Sequence, residues 1–391
     1  MRIQTKAVHA GDRKKPGEHV PTATPIYASS SFFYEKIEQL DRVFAGEEGY
    51  CYSRYGNPST AALEELVAAL ESGPGAVACS SGMTALHMAL LAALTDRRKS
   101  IVAADAAFGA TISLLMDVLA PMGVEVRFAD FCDRAALEQA IAAQNPGCLL
   151  MESVSNPLLR VPPMDDVAGL AQAAGAALVV DNTFATPLLA RPLELGANLV
   201  VHSLTKFLSG HGDVMGGVAV SDARHLETLR SLSRIIGPAL GPFDSFLAMR
   251  GIKTFPLRME RQCANACRVA AWLADHQAVE RVHFTGDPRH PDAAAIRRIF
   301  PQNLYGAMIG FELKDAGRDE VFAFLDRLRM IVRATSLGDV HSMILYPVMS
   351  THREISPKQR ERMGIRDNLV RLSVGIEATE DILADLEQAL A

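Results

Sequence analysis

The chain has 391 residues and a formal net charge of −6, with 49% hydrophobic and 21% charged residues. This is the composition of an ordinary globular protein of about two domains, and it excludes disordered and collagen-like chains. No block of five or more Lys and Arg residues occurs. The clustered cations that bind nucleic acid or an anionic membrane are therefore missing, and we expect small-molecule partners instead.

The cysteine content indicates a reducing compartment. Six cysteines are far fewer than a disulfide-stapled secreted scaffold contains, and none forms a C-x-x-C pair. The sequence therefore predicts neither a structural zinc site nor any other metal site. Residues 1–20 lack the apolar core of a signal peptide, and no apolar run reaches the about eighteen residues of a membrane span. We expect a cytoplasmic protein.

The predicted elements begin with an arm. Residues 1–57 are polar and punctuated by Pro and Gly, which predicts an extended segment rather than a domain core. A helix is predicted over 60–72, capped by Asn57 or Ser59, and a short strand follows over 76–80.

From residue 82 onward, strand and helix patterns alternate. Strands are predicted over 100–105, 124–130, 147–153, 176–182 and 197–203, with helices over 84–94, 110–123, 134–145, 164–175 and 188–195. Alternation at this spacing predicts βαβ crossovers, hence an α/β fold whose mostly parallel sheet carries helices on both faces.

The last third of the chain has a different pattern. Residues 243–276 are amphipathic and predict a helix, or a helix pair, that joins two domains. Beyond it, strands over 308–314 and 369–375 alternate with two helices, which predicts a smaller α+β region. We expect a large domain over 58–250 and a small domain over 251–391 that includes the connecting helix.

The segment VVHSLTKFLSGHGD is the first candidate for chemistry. An apolar strand ends here, and Ser203, Thr205 and Lys206 follow within a few residues. A lysine partly desolvated at a strand end can act as an amine nucleophile that forms a Schiff base, and the hydroxyls can bind phosphate oxygens. Taken alone, Lys206 could equally be a solvated loop charge.

Two further strand ends support a ligand site. The run AALVV ends at Asp181, so Asp181 and Lys206 both lie toward the carboxyl edge of a parallel sheet, where ligands bind. A carboxylate there could keep a pyridine nitrogen protonated, although helix capping is the plainer role. In CSSGM, Gly82 opens a helix whose N–H groups can bind phosphate, although the same pattern occurs in simple connections.

Seven motifs together carry a family resemblance. In chain order they read YSRYGNP, SSGM, ESVSNP, VVDNTFATP, VHSLTKFLSGHGDV, MRGIKT and LVRLSVGIE. They resemble the Cys/Met-metabolism family of pyridoxal 5'-phosphate (PLP) enzymes, which includes cystathionine γ-synthase, cystathionine γ- and β-lyases, methionine γ-lyase and O-acylhomoserine sulfhydrylases. The resemblance covers nearly the whole chain and implies a fold type I, aminotransferase-like enzyme with PLP as its cofactor.

The resemblance also implies roles for particular residues. Lys206 would bind PLP and transfer protons, with Tyr52 as a further catalytic group. The cofactor-binding residues would be Tyr52, Arg54, Gly82, Met83, Phe108, Asn156, Asp181, Ser203, Thr205 and Lys206. Ser336 and Arg371 would bind the substrate, Arg371 as a fork on its carboxylate. Tyr52 and Arg54 would reach the phosphate of a neighbouring subunit, which implies that the arm over 1–57 completes its partner's site in a homotetramer built as a dimer of dimers.

Three positions depart from the family pattern. Phe108 stands where most members have a tyrosine, so the ring remains but the proton-transferring hydroxyl is lost. Ala110 replaces the cysteine of methionine γ-lyases, so the sequence favours a methionine-specialised lyase less. Thr335 replaces the glutamate or tyrosine that precedes Ser336 in other members, so the far amino group of cystathionine loses its usual partner.

These features predict a PLP-dependent C–S lyase of sulfur amino-acid metabolism, with cystathionine γ-lyase-like elimination on cystathionine or a related amino acid. The alternative within the family is a γ-replacement enzyme of the cystathionine γ-synthase or O-acylhomoserine sulfhydrylase type. A cofactor-free Schiff-base enzyme and a silent PLP-binding protein remain open as alternatives of another class.

Overall fold

The structure, a computed structural model, describes residues 1–12, 20–95, 98–351, 353, 360 and 363–391. Two β-sheets of seven and five strands organise these residues. No helix among them is both long and apolar enough to cross a bilayer.

The larger sheet is mostly parallel, as predicted. Its strands are β1 (Gly75–Cys79), β2 (Ser100–Ala104), β3 (Glu125–Ala129), β4 (Cys148–Glu152), β5 (Ala177–Asp181), β6 (Leu199–Ser203) and β7 (Gly217–Ser221). Their order across the sheet is β1-β7-β6-β5-β4-β2-β3. Buried strands of this kind read as nearly continuous apolar runs, which is why β2, β4, β5 and β6 stand out in the sequence, whereas the edge strand β3 is partly exposed.

Strand β7 was not predicted. It pairs antiparallel with both β1 and β6, returning along β6 after the loop that carries Lys206. Its sequence begins in the glycine-rich run GHGDVMGG, whose composition indicates a loop. The glycines before the strand make this part of the sequence look like a loop. The antiparallel strand can therefore be recognised only from its pairing with β1 and β6.

Helices cover both faces of this sheet, which confirms the predicted layers. They are α3 (Pro58–Glu71), α4 (Gly82–Leu94), α5 (Gly109–Ser113), α6 (Arg134–Gln144), α7 (Met164–Ala173), α8 (Thr186–Leu189) and α9 (Leu226–Ile236). Helix α3 packs in one apolar core and α4 in the core on the opposite face. The helix predicted over 110–123 is α5 followed by a π-helical segment, Leu114–Leu119. The helix-like stretch over 188–195 divides into α8 and a 3₁₀ segment, Pro192–Leu195.

The N-terminal arm is not simply extended, which corrects the prediction for part of it. Helix α1 (Ile3–His9) packs on α3 and buries Ile3 and Ala7, while α2 (Ile37–Phe44) buries none of its residues. Helix α1 was not predicted because the arm is mostly polar. So short a helix is anchored by only two apolar residues one turn apart, which is too few to give a clear amphipathic pattern.

The smaller sheet contains the strands from the last third of the chain. These are β8 (Val279–His283), β9 (Met308–Leu313), β10 (Val332–Arg333), β11 (Met343–Leu345) and β12 (Leu369–Ser373), in the order β10-β11-β12-β9-β8. The helices in this part of the chain are α10 (Pro242–Ile252), α11 (Phe255–Asp275), α12 (Ala293–Ile299), α13 (Arg318–Arg327) and α14 (Thr379–Leu390). Helices α11, α13 and α14 pack on the smaller sheet, whereas α10 packs on α3. Helices α10 and α11 form the connecting pair, and Pro256 in the first turn of α11 starts the second helix.

Candidate active site

The carboxyl ends of three neighbouring strands form the floor of the site. Glu152 ends β4 and lies opposite Asp181, which ends β5, and β6 ends beside them at Ser203. Above this edge is a cavity of about 290 Å³. Its lining residues are Ser81, Gly82, Met83, Phe108, Glu152, Val154, Asn156, Asp181, Thr183, Phe184, Ser203, Thr205, Lys206, Met215, Thr335, Leu337, Thr351 and Arg371.

Lys206 lies in the turn after β6 and faces this cavity. Its Nζ donates a hydrogen bond of 2.9 Å to Ser336 Oγ, which comes from the smaller-sheet region. Burial, aided by the positive charge of Arg371, lowers the pKa of Lys206 to about 8. A lysine with this pKa has a substantial neutral fraction near neutrality, so it can act as a nucleophile and as a base.

Asp181 is a carboxyl group of the cavity floor. Burial raises the pKa of Asp181, while hydrogen bonds from Thr183 and the nearby His202 oppose the rise. The Thr183 backbone N–H donates to Asp181 Oδ1 over 3.0 Å, and this bond fixes the carboxylate. A cation brought into the cavity beside Asp181 would favour its ionised form.

The beginning of α4 is shaped for an anion. Ser81 caps the helix by accepting from the Thr84 N–H, and the Gly82 and Met83 N–H groups open the first turn. A Cβ at Gly82 would come within 2.9 Å of Ser203 Cβ, so this close approach requires glycine. The Thr205 hydroxyl is oriented by the Gly216 N–H over 3.1 Å. The free N–H groups, the two hydroxyls and the glycine cradle fit a phosphate group.

Arg371 reaches the cavity from β12 and is only 2% exposed. Its Nη1 donates to Asn156 Oδ1 over 3.0 Å and its Nη2 to the Ser336 carbonyl over 3.2 Å, while Nε has no hydrogen-bond partner. Burial lowers the pKa of Arg371 to about 10. No carboxylate among the described residues forms an ion pair with it. A buried guanidinium without a counter-ion is a receptor for a carboxylate, which it can hold through two parallel hydrogen bonds.

Two of the three departures from the family pattern lie around the same space. Phe108 and Thr335 both line the cavity, whereas Ala110 does not. The uncharged side chains Met215, Leu337 and Thr351 line it with Thr335. These four lining side chains carry no charge that could pair with an ammonium group.

Tyr52 and Arg54 do not join the other predicted site residues. Both are exposed, and neither lines the cavity that contains Lys206. The Arg54 guanidinium lies 4.9 Å from the Tyr55 ring centroid and donates to the Arg234 carbonyl oxygen. One chain therefore brings ten of the twelve predicted site residues to one place and leaves these two on its surface.

Sequence reasoning missed two residues of the floor. Glu152 stood in the motif ESVSNP without a role, and Thr183 follows Asp181 by two positions. The signal that identified Asp181, an acid directly after a buried strand, applies equally to Glu152. Thr183 offered no such signal. Its N–H contact with Asp181 is local, but the contact of its hydroxyl with the Ser203 N–H depends on the pairing of β5 with β6.

A lowered-pKa lysine, a carboxylate opposite it, an anion cradle at a helix start and a buried arginine define the class of PLP-dependent amino-acid enzymes. Comparisons with known proteins agree. The Cys/Met metabolism PLP-dependent enzyme family matches residues 4–391. An L-methionine gamma-lyase of Fusobacterium nucleatum subsp. polymorphum is 41% identical, over 99% of this chain and 98% of its own.

Two further relatives extend the range of reactions. An O-succinylhomoserine sulfhydrylase of Pseudomonas aeruginosa is 38% identical, over all of this chain and 95% of its own. The crystal structure of a cystathionine gamma-lyase from Lactobacillus plantarum, complexed with L-serine, superposes with a TM-score of 0.91 at 36% identity, covering all of this chain and 98% of that one. The chain belongs to the Cys/Met metabolism family of PLP-dependent enzymes.

The family resemblance and the fold predicted from the sequence are thereby confirmed, and so is PLP as the cofactor. The protein is a PLP-dependent C–S lyase of sulfur amino-acid metabolism, in a family that also contains γ-replacement enzymes, and its substrate is an amino acid. Cofactor-free Schiff-base chemistry is ruled out by this membership.

Proposed function

We propose that this protein catalyses γ-elimination on cystathionine or a related amino acid, as a cystathionine γ-lyase does. The observation that carries the proposal is the meeting of Lys206 and the unpaired Arg371 in one cavity, each from a different sheet. An amino acid whose carboxylate binds Arg371 would bring its α-carbon toward Lys206.

In this proposal some residues hold the cofactor and others transfer protons. Bound PLP supplies the electron sink that stabilises negative charge at the substrate α-carbon. We assign proton transfer at the α- and β-carbons to Lys206 Nζ, which Ser336 Oγ orients at 2.9 Å. Phe108 has no hydroxyl to share in this task, so Lys206, water or Tyr52 of a neighbouring subunit must protonate the leaving sulfur.

The residues that would hold the cofactor line the cavity. Asp181 would retain the proton of the pyridine nitrogen, and Asn156 would contact the ring hydroxyl. Gly82, Met83, Ser203 and Thr205 would bind the phosphate. Phe108 would stack on the ring face. This assignment is supported by the positions of all seven residues along one cavity wall.

A second candidate reaction is γ-replacement on an activated homoserine. The observation that favours it is the uncharged character of the lining residues Thr335, Met215, Leu337 and Thr351, since none of them can form an ion pair with the far ammonium of cystathionine. An acylated homoserine carries no such ammonium. Its acyloxy group would leave the γ-carbon as a carboxylate, and a sulfur nucleophile would bond to that carbon, after the same early proton transfers.

One assay separates these reactions. The PLP-loaded protein is incubated with cystathionine and no added thiol, and the oxo acid released is identified by mass spectrometry. We expect 2-oxobutyrate, the product of γ-elimination, whereas pyruvate would indicate β-elimination. If neither forms, the proposal fails, and O-succinylhomoserine with a thiol becomes the test of γ-replacement.

We further propose that the protein works as a homo-oligomer, a dimer of dimers, in which Tyr52 and Arg54 complete a neighbouring site. Apolar side chains of the arm support an interface: Phe33 is 89% exposed, Ile37 78% and Phe44 63%. Light scattering on the full chain tests the assembly, since a monomer that retains full activity would contradict it.

We also propose a cytoplasmic location, in line with six cysteines that are all free thiols. Cell fractionation tests this, and recovery of the protein in a secreted fraction would contradict it.

A further inference from the structure

Glu152 is an acidic residue of the cavity to which the proposed reaction gives no role. It ends β4 at the position that pairs in register with Asp181 at the end of β5. Paired residues on parallel strands point to the same face and lie about 5 Å apart. Two carboxyl groups therefore stand side by side on the cavity floor, and both line the cavity.

The Glu152 carboxyl connects two loops that surround the ring-binding space. Its Oε1 accepts a hydrogen bond of 2.6 Å from the Phe108 N–H, and the Asn156 backbone N–H also donates to this carboxyl. Phe108 opens α5 after β2, and the Asn156 side chain accepts from Arg371. One side chain thus holds in place the proposed stacking ring and the amide that orients the substrate-binding arginine.

Glu152 also lines a second cavity of about 130 Å³ behind the first. Asp105, Asp130 and Arg160 face it from that side. On the first side the charged groups are Asp181, Lys206 and Arg371.

The charge balance around Glu152 opposes its ionisation. Arg160 is already paired with Asp292, which its Nε contacts over 2.7 Å, and so offers little to Glu152. Burial and the adjacent Asp181 raise the pKa of Glu152 to about 8, against the two backbone amides. Of two neighbouring buried carboxyls, one keeps its proton when the other is charged.

We propose that Glu152 is a positioning residue that stays neutral beside an ionised Asp181 and, in that form, fixes Phe108 and Asn156 around the cofactor cavity. The inference rests on the cofactor site assigned above but not on the choice between elimination and replacement. A neutral Glu152 leaves Asp181 as the single anion that faces the ring nitrogen. Its carbonyl oxygen still accepts from Phe108, so positioning does not require its charge.

Substitution by glutamine tests this directly, because the amide has the shape of the protonated acid and no charge. We expect Glu152→Gln to retain the absorption band of lysine-bound PLP and a cofactor dissociation constant close to that of the natural protein. Glu152→Ala removes the acceptor for the Phe108 N–H and should weaken cofactor binding about tenfold. If Glu152→Gln loses PLP as severely as Glu152→Ala, the ionised carboxylate is needed and the proposal is wrong.

A second measurement remains decisive if Glu152→Ala does not fold. Between pH 4.5 and about 8 the unfolded chain releases the Glu152 proton and the folded chain keeps it. This group therefore makes cofactor-free protein less stable as pH rises through that window. The melting temperature of Glu152→Gln relative to the natural protein should rise from pH 5 to pH 8, whereas a flat difference would overturn the proposal.

The matched control is Glu138→Gln, an exposed glutamate that pairs with Arg134 on α6. It should show no such rise. Failure of the proposed reaction is separable from failure of this inference, since the first appears in the oxo acid and the second in cofactor binding and melting temperature.

Discussion

The two sides of the cavity differ in construction. The floor consists of strand ends in the seven-stranded sheet. There the Thr183 N–H donates to Asp181, and the Thr183 hydroxyl accepts from the Ser203 N–H of the neighbouring strand. The opposite side comes from Thr335 and Ser336, which lie outside regular structure, and from Arg371 on β12. A rigid floor suits the cofactor chemistry common to the family. In the proposed reaction the other side would contact the variable part of the substrate, and Thr335 belongs to this side.

The largest effect is expected from removing the reactive amine at the cavity floor. Lys206→Ala should abolish the absorption band of lysine-bound PLP and reduce oxo acid release by about 10³-fold or more, because the proton-transfer group is lost. Spectra and steady-state rates measure both effects. Lys314→Ala, at an exposed lysine far from the cavity, is the control. A Lys206→Ala protein with the band and the rate intact would refute the assignment.

A change on the opposite side should alter binding rather than cofactor chemistry. Arg371→Lys replaces a planar fork by a point charge, so kcat/KM should fall about 10- to 100-fold, mainly through KM. The PLP spectrum should remain unchanged. Arg268→Lys, at an exposed arginine paired with Glu380, provides the comparison. Loss of the spectrum in Arg371→Lys would show that the two sides are not separable.

Substrate choice should respond to a change at the uncharged lining residue Thr335. Thr335→Glu introduces a carboxylate that can pair with the far ammonium of cystathionine, so the kcat/KM ratio of cystathionine to methionine should rise about tenfold. Thr335→Gln has the same length without the charge and should leave the ratio near its original value. Equal ratios in the two variants would place recognition of the far ammonium elsewhere.

The smallest effect is a pH dependence that couples the two sides. Lys206 reacts with PLP as the neutral amine, so capture of PLP by the cofactor-free protein should accelerate as pH rises, with a midpoint near its pKa of about 8. Arg371 contributes to that lowered pKa, so Arg371→Met should move the midpoint to higher pH by a fraction of a unit. Stopped-flow absorbance measures the midpoint. A shift to lower pH would contradict the coupling.

Much of the site could be predicted because its chemistry is local. Lys206, Thr205 and Ser203 occupy one short segment, and Asp181 directly follows a buried apolar run. Apolar strands and amphipathic helices also identified the layered fold, since each pattern reports which faces of an element are buried. The family motifs then connected these segments with the distant Ser336 and Arg371.

Other features depend on pairing between segments far apart in the chain. Strand β7, with its glycine-rich start, is recognisable only beside β1 and β6. Tyr52 and Arg54 face solvent in one chain, and no local pattern indicates where a second chain would place them.

By itself, the sequence determined the chemical inventory of this protein, its family and the alternating strands and helices of the parallel sheet. Tertiary structure decided which groups meet: Lys206 with Ser336 across 130 positions, Arg371 with Asn156 across 215, and Glu152 with Asp181 through the pairing of β4 and β5. The physical reason is the order of strands in the sheet, which differs from their order in the chain. Contact between two charges, and hence the pKa of each, follows from that spatial order.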